Sequence, residues 1–225
     1  MERCGIRKSR SMWSLETLGR VCLSQYPHMR EFLYSEIRNI HRIDNIPEDP
    51  DLTIETGKIL CETLLDPLVE TFGHVAIRSG YRAPGSNRFG NENGLNGARN
   101  DHNWGRHIWD QRDGDGRRGA CTSLFVPWFS DQYALTRDRR DLAFWLKDHL
   151  HFYDVWFFPK LCAFNLGWRD DPAGRVFAYI APKGELAGEP SSAHRHADFP
   201  PFRGVYFPKQ PGDFHKTDLS TDLSP

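Results

Sequence analysis

No stretch of this sequence approaches the roughly 18 to 20 consecutive apolar residues that a membrane-spanning helix needs, so a membrane partner is not expected. The first 22 residues carry basic side chains but no apolar run of the kind a secretory leader requires, and the expected location is cytoplasmic. A surplus of charge of either sign is missing too. The 29 basic and 30 acidic residues leave a formal net charge of -1, which offers no electrostatic footprint for nucleic acid. Cysteine is scarce: Cys4, Cys22, Cys61, Cys121 and Cys162 are odd in number, widely spaced and never two residues apart in a pair. That spacing argues against a disulfide scaffold or a Cys-rich zinc site and favours a reducing compartment. A phosphate loop, a nucleophile elbow, a cysteine-nucleophile signature and internal repeats are all lacking.

What is present suffices for a packed core. Hydrophobic residues make up 39% of the 225 positions and aromatics 13%, which excludes wholesale disorder. The length fits one domain with appendages: a flexible basic arm over 1–11, a single domain over 12–187, and a Pro- and His-rich, poorly ordered tail over 188–225. Apolar spacing from Trp13 to Ile40 predicts two short helices broken near Tyr26-Pro27, and 43–51 reads as a Pro/Asp-rich turn. Ile54, Ile59, Leu60, Leu64, Leu68 and Phe72 form a stripe of period near 3.6, predicting a helix over 52–72 that Pro67 kinks and Gly73 ends. A strand is expected over 74–79, a long irregular loop over the Gly/Asn-rich 83–103, and a short strand over 107–110. Further strands are expected over 120–129 and 175–181, with helices over 137–150 and 152–166.

Leu65, Pro67, Leu68, Phe72 and Gly73, followed by Ser79-Gly80-Tyr81-Arg82 and Asn87, resemble the core of the zinc D-Ala-D-Ala carboxypeptidase and phage endolysin-type metallopeptidase family. The likeness spans about 33–110 and weakens toward 182. It implies a hedgehog-like α+β fold, a small antiparallel sheet with helices packed on it, and a site faced by Arg82, whose fixed positive charge suits stabilisation of an anion. Tyr81 reads as a residue that orients the substrate or simply packs, and Trp104, core or pocket wall, joins Ser79 and Asn87 of the matching motif as candidates to line the binding site. The implied substrate is a peptide or small amide-containing molecule of the cell-wall D-amino-acid kind.

Zinc in that family takes a His and an Asp from one motif and a second His from a final strand, leaving a position for water. Here the motif is altered. Anchoring on His102 and Gly105 puts Trp109 in the Asp slot, whereas anchoring on Asp110 puts Asn103 in the His slot. A β-bulge between Gly105 and Asp110 would bring His102 and Asp110 together as ligands. The final strand near Ala178-Tyr179-Ile180 has no His, and aromatic residues around Trp156-Phe157-Phe158 stand where the family's Glu is expected. The pairs His149/His151 and His194/His196 are alternative ligand sources, although a helix end explains the first pair and solvation the second. Asp110, Asp113 and Asp115 with Gly114 and Gly116 read as a turn rather than a calcium loop. Three functions compete: a zinc hydrolase using Arg82, His102 and Asp110; a non-catalytic binding module on the same fold; and a re-tooled enzyme in which His107 acts as acid/base beside Asp110.

Overall fold

The computed structural model describes residues 5–186 apart from 96, 136, 137 and 161; the 188–225 tail and its His194 and His196 lie outside the described residues. The architecture is mixed α+β. Six strands form an open sheet in the order β1-β2-β4-β3-β5-β6: β1 (Ala76–Ser79), β2 (Gly119–Phe125), β3 (Asp154–Phe157), β4 (Phe164–Arg169), β5 (Arg175–Ala178) and β6 (Gly184–Glu185). The sheet is not wholly antiparallel. Three successive strands alternate in direction, and β5 docks on the free edge of β3 rather than on β4, so β3 and β5 run parallel.

The N-terminal third is helical: α1 (Met12–Gly19), α2 (Met29–Phe32) and α3 (Glu36–His41), one helix more than the apolar spacing indicates. Residues 5–11 are not simply a loose arm, since Ser9 is buried and the Ile6 amide donates to Asp51. The helix expected over 52–72 begins at Pro50 behind the Asp49 cap and runs as α4 (Pro50–Leu60), a π-turn (Cys61–Leu65) and α5 (Asp66–Phe72). Pro67 is the cause. It has no amide hydrogen and its ring crowds the carbonyl four residues back; the π-turn, in which the Asp66 amide reaches the Cys61 carbonyl, absorbs that conflict. Gly73 ends the helix with φ near 80°.

Four expectations are corrected. The segment 83–103 contains α6 (Pro84–Glu92) and α7 (Asn100–Asn103): Pro84 opens the first of these, and Asn87 buries its amide against the Ala98 carbonyl, Asn100 and Asn103. Tertiary hydrogen bonds there offset the weak helix propensity of Gly and Asn. Residues 107–110 form turns rather than a strand, because Gly105 (φ near 61°) folds its amide back onto Ile108 and Gln111 carbonyls. The aromatic segment 152–166 is the β3–β4 hairpin, not a helix. Residues 120–129 divide at Val126 into the end of β2 and the start of α8 (Pro127–Leu135), followed by α9 (Arg139–His149).

Strand alternation gives the sheet two faces. One carries Ala120, Leu124, Phe164, Leu166, Val155, Phe157, Val176 and Ala178, all buried in the core. The other is mixed and partly open. Its rows follow from register: Ser79, Ser123, Asn165, Trp156 and Phe177 lie side by side, as do Cys121, Gly167, Asp154 and Arg175.

Gly80 is required by close approach. A side-chain carbon there would lie 2.7 Å from the Phe32 ring and 3.0 Å from its Cα. Gly80→Ala is therefore expected to destabilise the chain by about 2 kcal/mol or more, seen as a lowered thermal midpoint; an unchanged midpoint would show that Phe32 moves aside freely.

Candidate functional site

Tyr81 and Arg82 leave the end of β1 in opposite directions. Tyr81 enters the core edge-on to Trp109, and its hydroxyl donates to Asp110 Oδ2 at 2.9 Å. The same oxygen accepts the Glu48 amide at 2.8 Å. Asp110 is 3% exposed, and burial raises its pKa against the pull of those donors. Asn45, also buried, donates to the Leu33 and Tyr81 carbonyls and accepts from the Ala83 amide, so all three of those bonds clamp the chain around Tyr81.

His107 clamps the other side. Its Nδ1 is 3.0 Å from the Gly80 carbonyl, and its own carbonyl accepts the Arg82 amide at 2.7 Å. A carbonyl can only accept, so Nδ1 carries a proton. Burial, reinforced by the charge of Arg82, holds its pKa well below the ordinary value. At 4% exposure it acts as a brace for the Gly80–Arg82 turn.

The Arg82 guanidinium lies over the open face of the sheet beside Ser79 and Cys121. Its one side-chain hydrogen bond is a long one, 3.5 Å to Ser79 Oγ, and it forms no ion pair among the described residues. Burial lowers its pKa, with Cys121 and Glu36 opposing. Other little-exposed arginines have partners. Arg106 binds Asp154 in a short contact, Arg169 pairs with Asp113 at 3.2 Å, and Arg139 donates to the Ile180 and Pro182 carbonyls. Arg106 is half-buried, and the burial that opposes its charge is outweighed by Cys121 and Asp154, which raise its pKa.

Arg106 continues along the edge of β2 where β1 stops, its carbonyl accepting the Cys121 amide, and its side chain crosses to Asp154. Asp154 Oδ2 also receives Trp156 Nε1 at 3.0 Å. Gly167 makes room for the carboxylate, since a side-chain carbon there would stand 2.9 Å from Asp154 Oδ1. Cys121 is an inert thiol: burial pushes its pKa up to about 12, far from the thiolate range a nucleophile needs.

The expected site residues therefore separate into three places. Arg82, Ser79 and His107 meet at the open face. Tyr81 and Asp110 meet behind it, in the core. His102 sits exposed on α7, and Asn87 is engaged in the buried Asn87–Asn100–Asn103 network. Trp104, 36% exposed, lines a shallow depression with Arg88, Arg99 and Asp101. His149 stacks on Trp145 at the end of α9, and Asp113 accepts the Asp115 and Arg117 amides in a turn. As placed, the residues do not fit the zinc site that the resemblance implies. Asp110 Oδ2 is occupied by Tyr81 and a backbone amide, and among the described residues no three His, Cys, Asp or Glu side chains gather as a ligand set. Arg106, Asp154 and Asn45 were not singled out from the sequence, and Trp156 only as standing where the family's Glu is expected; the pairing of β2, β4 and β3 that brings Asp154 under Arg106 has no local signal.

Comparison of the chain with protein families, with characterised proteins and with solved structures finds no match. No helix among the described residues is long and apolar enough to cross a membrane.

A carboxyl whose pKa is higher folded than unfolded takes up a proton on folding. Its stabilising contribution is complete below the unfolded pKa and is lost as pH rises through the folded one. Wild type is therefore expected to lose stability relative to Asp110→Asn as pH rises from below 3.8 to neutrality, measured by denaturant unfolding. A pH-independent difference between the two would show that Asp110 is not perturbed.

Proposed function

We propose that this chain is a carboxylate-binding domain on a divergent D-Ala-D-Ala carboxypeptidase-like, hedgehog-type scaffold, with Arg82 as the anchor for a peptide-like ligand. The observation that carries the reading is the half-buried Arg82 guanidinium without an ion-pair partner among the described residues. A partly desolvated guanidinium is costly unless it is paired, and its planar fork matches a carboxylate with two parallel hydrogen bonds. Ser79, Ser123 and Asn165, half-buried on the same face, supply hydroxyl and amide groups for the polar backbone of such a ligand.

Binding is favoured over hydrolysis by the state of the other groups. His107 has Nδ1 and its carbonyl committed to the Gly80–Arg82 turn, Asp110 faces the core, and Cys121 is held as a thiol. The peptidase reading through zinc finds no ligand set among the described residues, so no step is assigned to it.

Titration calorimetry with N-acetyl-alanine and with its C-terminal amide tests the proposal. The acid is expected to bind and the amide not, and Arg82→Gln should weaken the acid at least tenfold, about 1.4 kcal/mol, with the circular dichroism spectrum unchanged. Equal binding of acid and amide, or an unaffected Arg82→Gln, would overturn it.

A further inference from the structure

The connection between α1 and α2 sets a thiol and an imidazole side by side. Cys22 and His28 face each other across a single antiparallel bridge. The Met29 amide donates to the Val21 carbonyl at 2.9 Å, and the Leu23 amide to the Pro27 carbonyl at 3.0 Å. These bonds flank the pair rather than join it, the arrangement that brings facing side chains closest. Alternation then sorts the residues by side. Leu23, Pro27 and Met29 are buried, whereas Cys22 and His28 between them are exposed. Cys22 Sγ lies 3.2 Å from His28 Nε2. The bridge is anchored on both sides. Ser24 Oγ donates to Asp66 Oδ1 at 2.7 Å, which ties the tip of the connection to the start of α5. Leu23 packs against Gly57 of α4, where a side-chain carbon would lie 3.2 Å from it. The His28 amide donates to Glu31 Oε1 at 2.8 Å as α2 begins.

The geometry points to Cys22 as a site of reversible thiolation by small disulfides, with His28 as its proton partner. A thiol with a base inside hydrogen-bonding reach is the signature of an activated sulfur nucleophile. Attack by Cys22 Sγ on one sulfur of the disulfide forms a new S–S bond and breaks the old one. The Cys22 proton passes to His28 Nε2 and from there to the departing sulfur, which leaves as a thiol. Cys22 ends as a mixed disulfide, one thiol is released, and no further oxidant is required; a second thiol reverses the step. The chemistry asks only for in-line approach to an exposed sulfur, which the outward side of the bridge allows. Cys61 and Cys121 are buried, and burial pushes both thiols up, Cys121 to about 12. Cys162 is half-buried. A metal is a poorer match for the pair, since no third His, Cys, Asp or Glu side chain joins it among the described residues.

The inference stands apart from the carboxylate reading of Arg82. Incubation of the full chain with glutathione disulfide, acid quenching and peptide mapping by mass spectrometry follow each cysteine separately. Cys22 is expected to take up the adduct about threefold faster in the native chain than in the urea-unfolded chain, and dithiothreitol to remove it. Cys61 and Cys121 should stay unmodified until the chain unfolds. His28→Gln keeps the backbone bridge and should leave the circular dichroism spectrum unchanged. It is expected to slow the Cys22 reaction about tenfold with glutathione disulfide, whose leaving sulfur is basic and needs a proton, but no more than about threefold with dithiodipyridine, whose leaving group is far less basic. Equal slowing with the two disulfides, or none, would overturn the role of His28 as proton partner. A native Cys22 that reacts no faster than the unfolded one would overturn the site.

Discussion

The hydrogen bond from Tyr81 to Asp110 is the constraint on which the rest of the site depends. It joins the end of β1 to the turn at 104–110 and, through the Glu48 amide on the same oxygen, to the entry of α4. Such a bond is electrostatically strong in a poorly polarisable interior, and the cost of leaving either partner unmade is high. With Tyr81 drawn inward, the next residue must leave on the other side, and Arg82 is thereby turned to the open face. Gly80 allows this by letting the backbone lie against Phe32. His107 then secures the turn from both ends, through Nδ1 and through its carbonyl.

The two arginines of the open face show how different surroundings give one side-chain type different tasks. Arg106 is neutralised by Asp154, and that pair in turn fixes the Trp156 indole, so its charge is spent inside the chain. Arg82 has Cys121, a neutral thiol, and His107, a neutral ring, as near neighbours, neither of which balances a cation, while the Glu36 carboxylate acts on it without forming an ion pair. The positive potential at this end of the face belongs to Arg82, and the aromatic cluster around Trp156 closes the other end.

Several elements were legible in the residues themselves. The period near 3.6 and the Gly73 boundary identify the helix over 52–72, Pro67 foretells its irregularity, and the start at Pro50 behind Asp49 is what the structure adds. The strand before Ser79 and the α9 helix with Lys147 and His149 in its last turn also follow from pattern. The failures share a cause. Asn87 and Asn100 belong to structured segments only because buried partners satisfy their amides, and the aromatic residues of 154–169 suit a buried face in either a helix or a strand until neighbouring strands choose. Likewise His102 and Asp110 resemble a ligand pair in sequence, yet the turns at Gly105 leave one exposed and bury the other against Tyr81.

The amino-acid order alone determined the α+β composition, the main helix, and the Ser79-Gly80-Tyr81-Arg82 turn with its fixed cation, because periodicity, proline and glycine chemistry and side-chain charge are local properties. Only the tertiary structure decided that Arg82 lies at the open face with no ion pair among the described residues, that Asp110 faces inward, and that Asp154 pairs with Arg106 and holds Trp156. Those outcomes depend on which strands pair and in what register, and register is settled by long-range packing that no short stretch of residues contains.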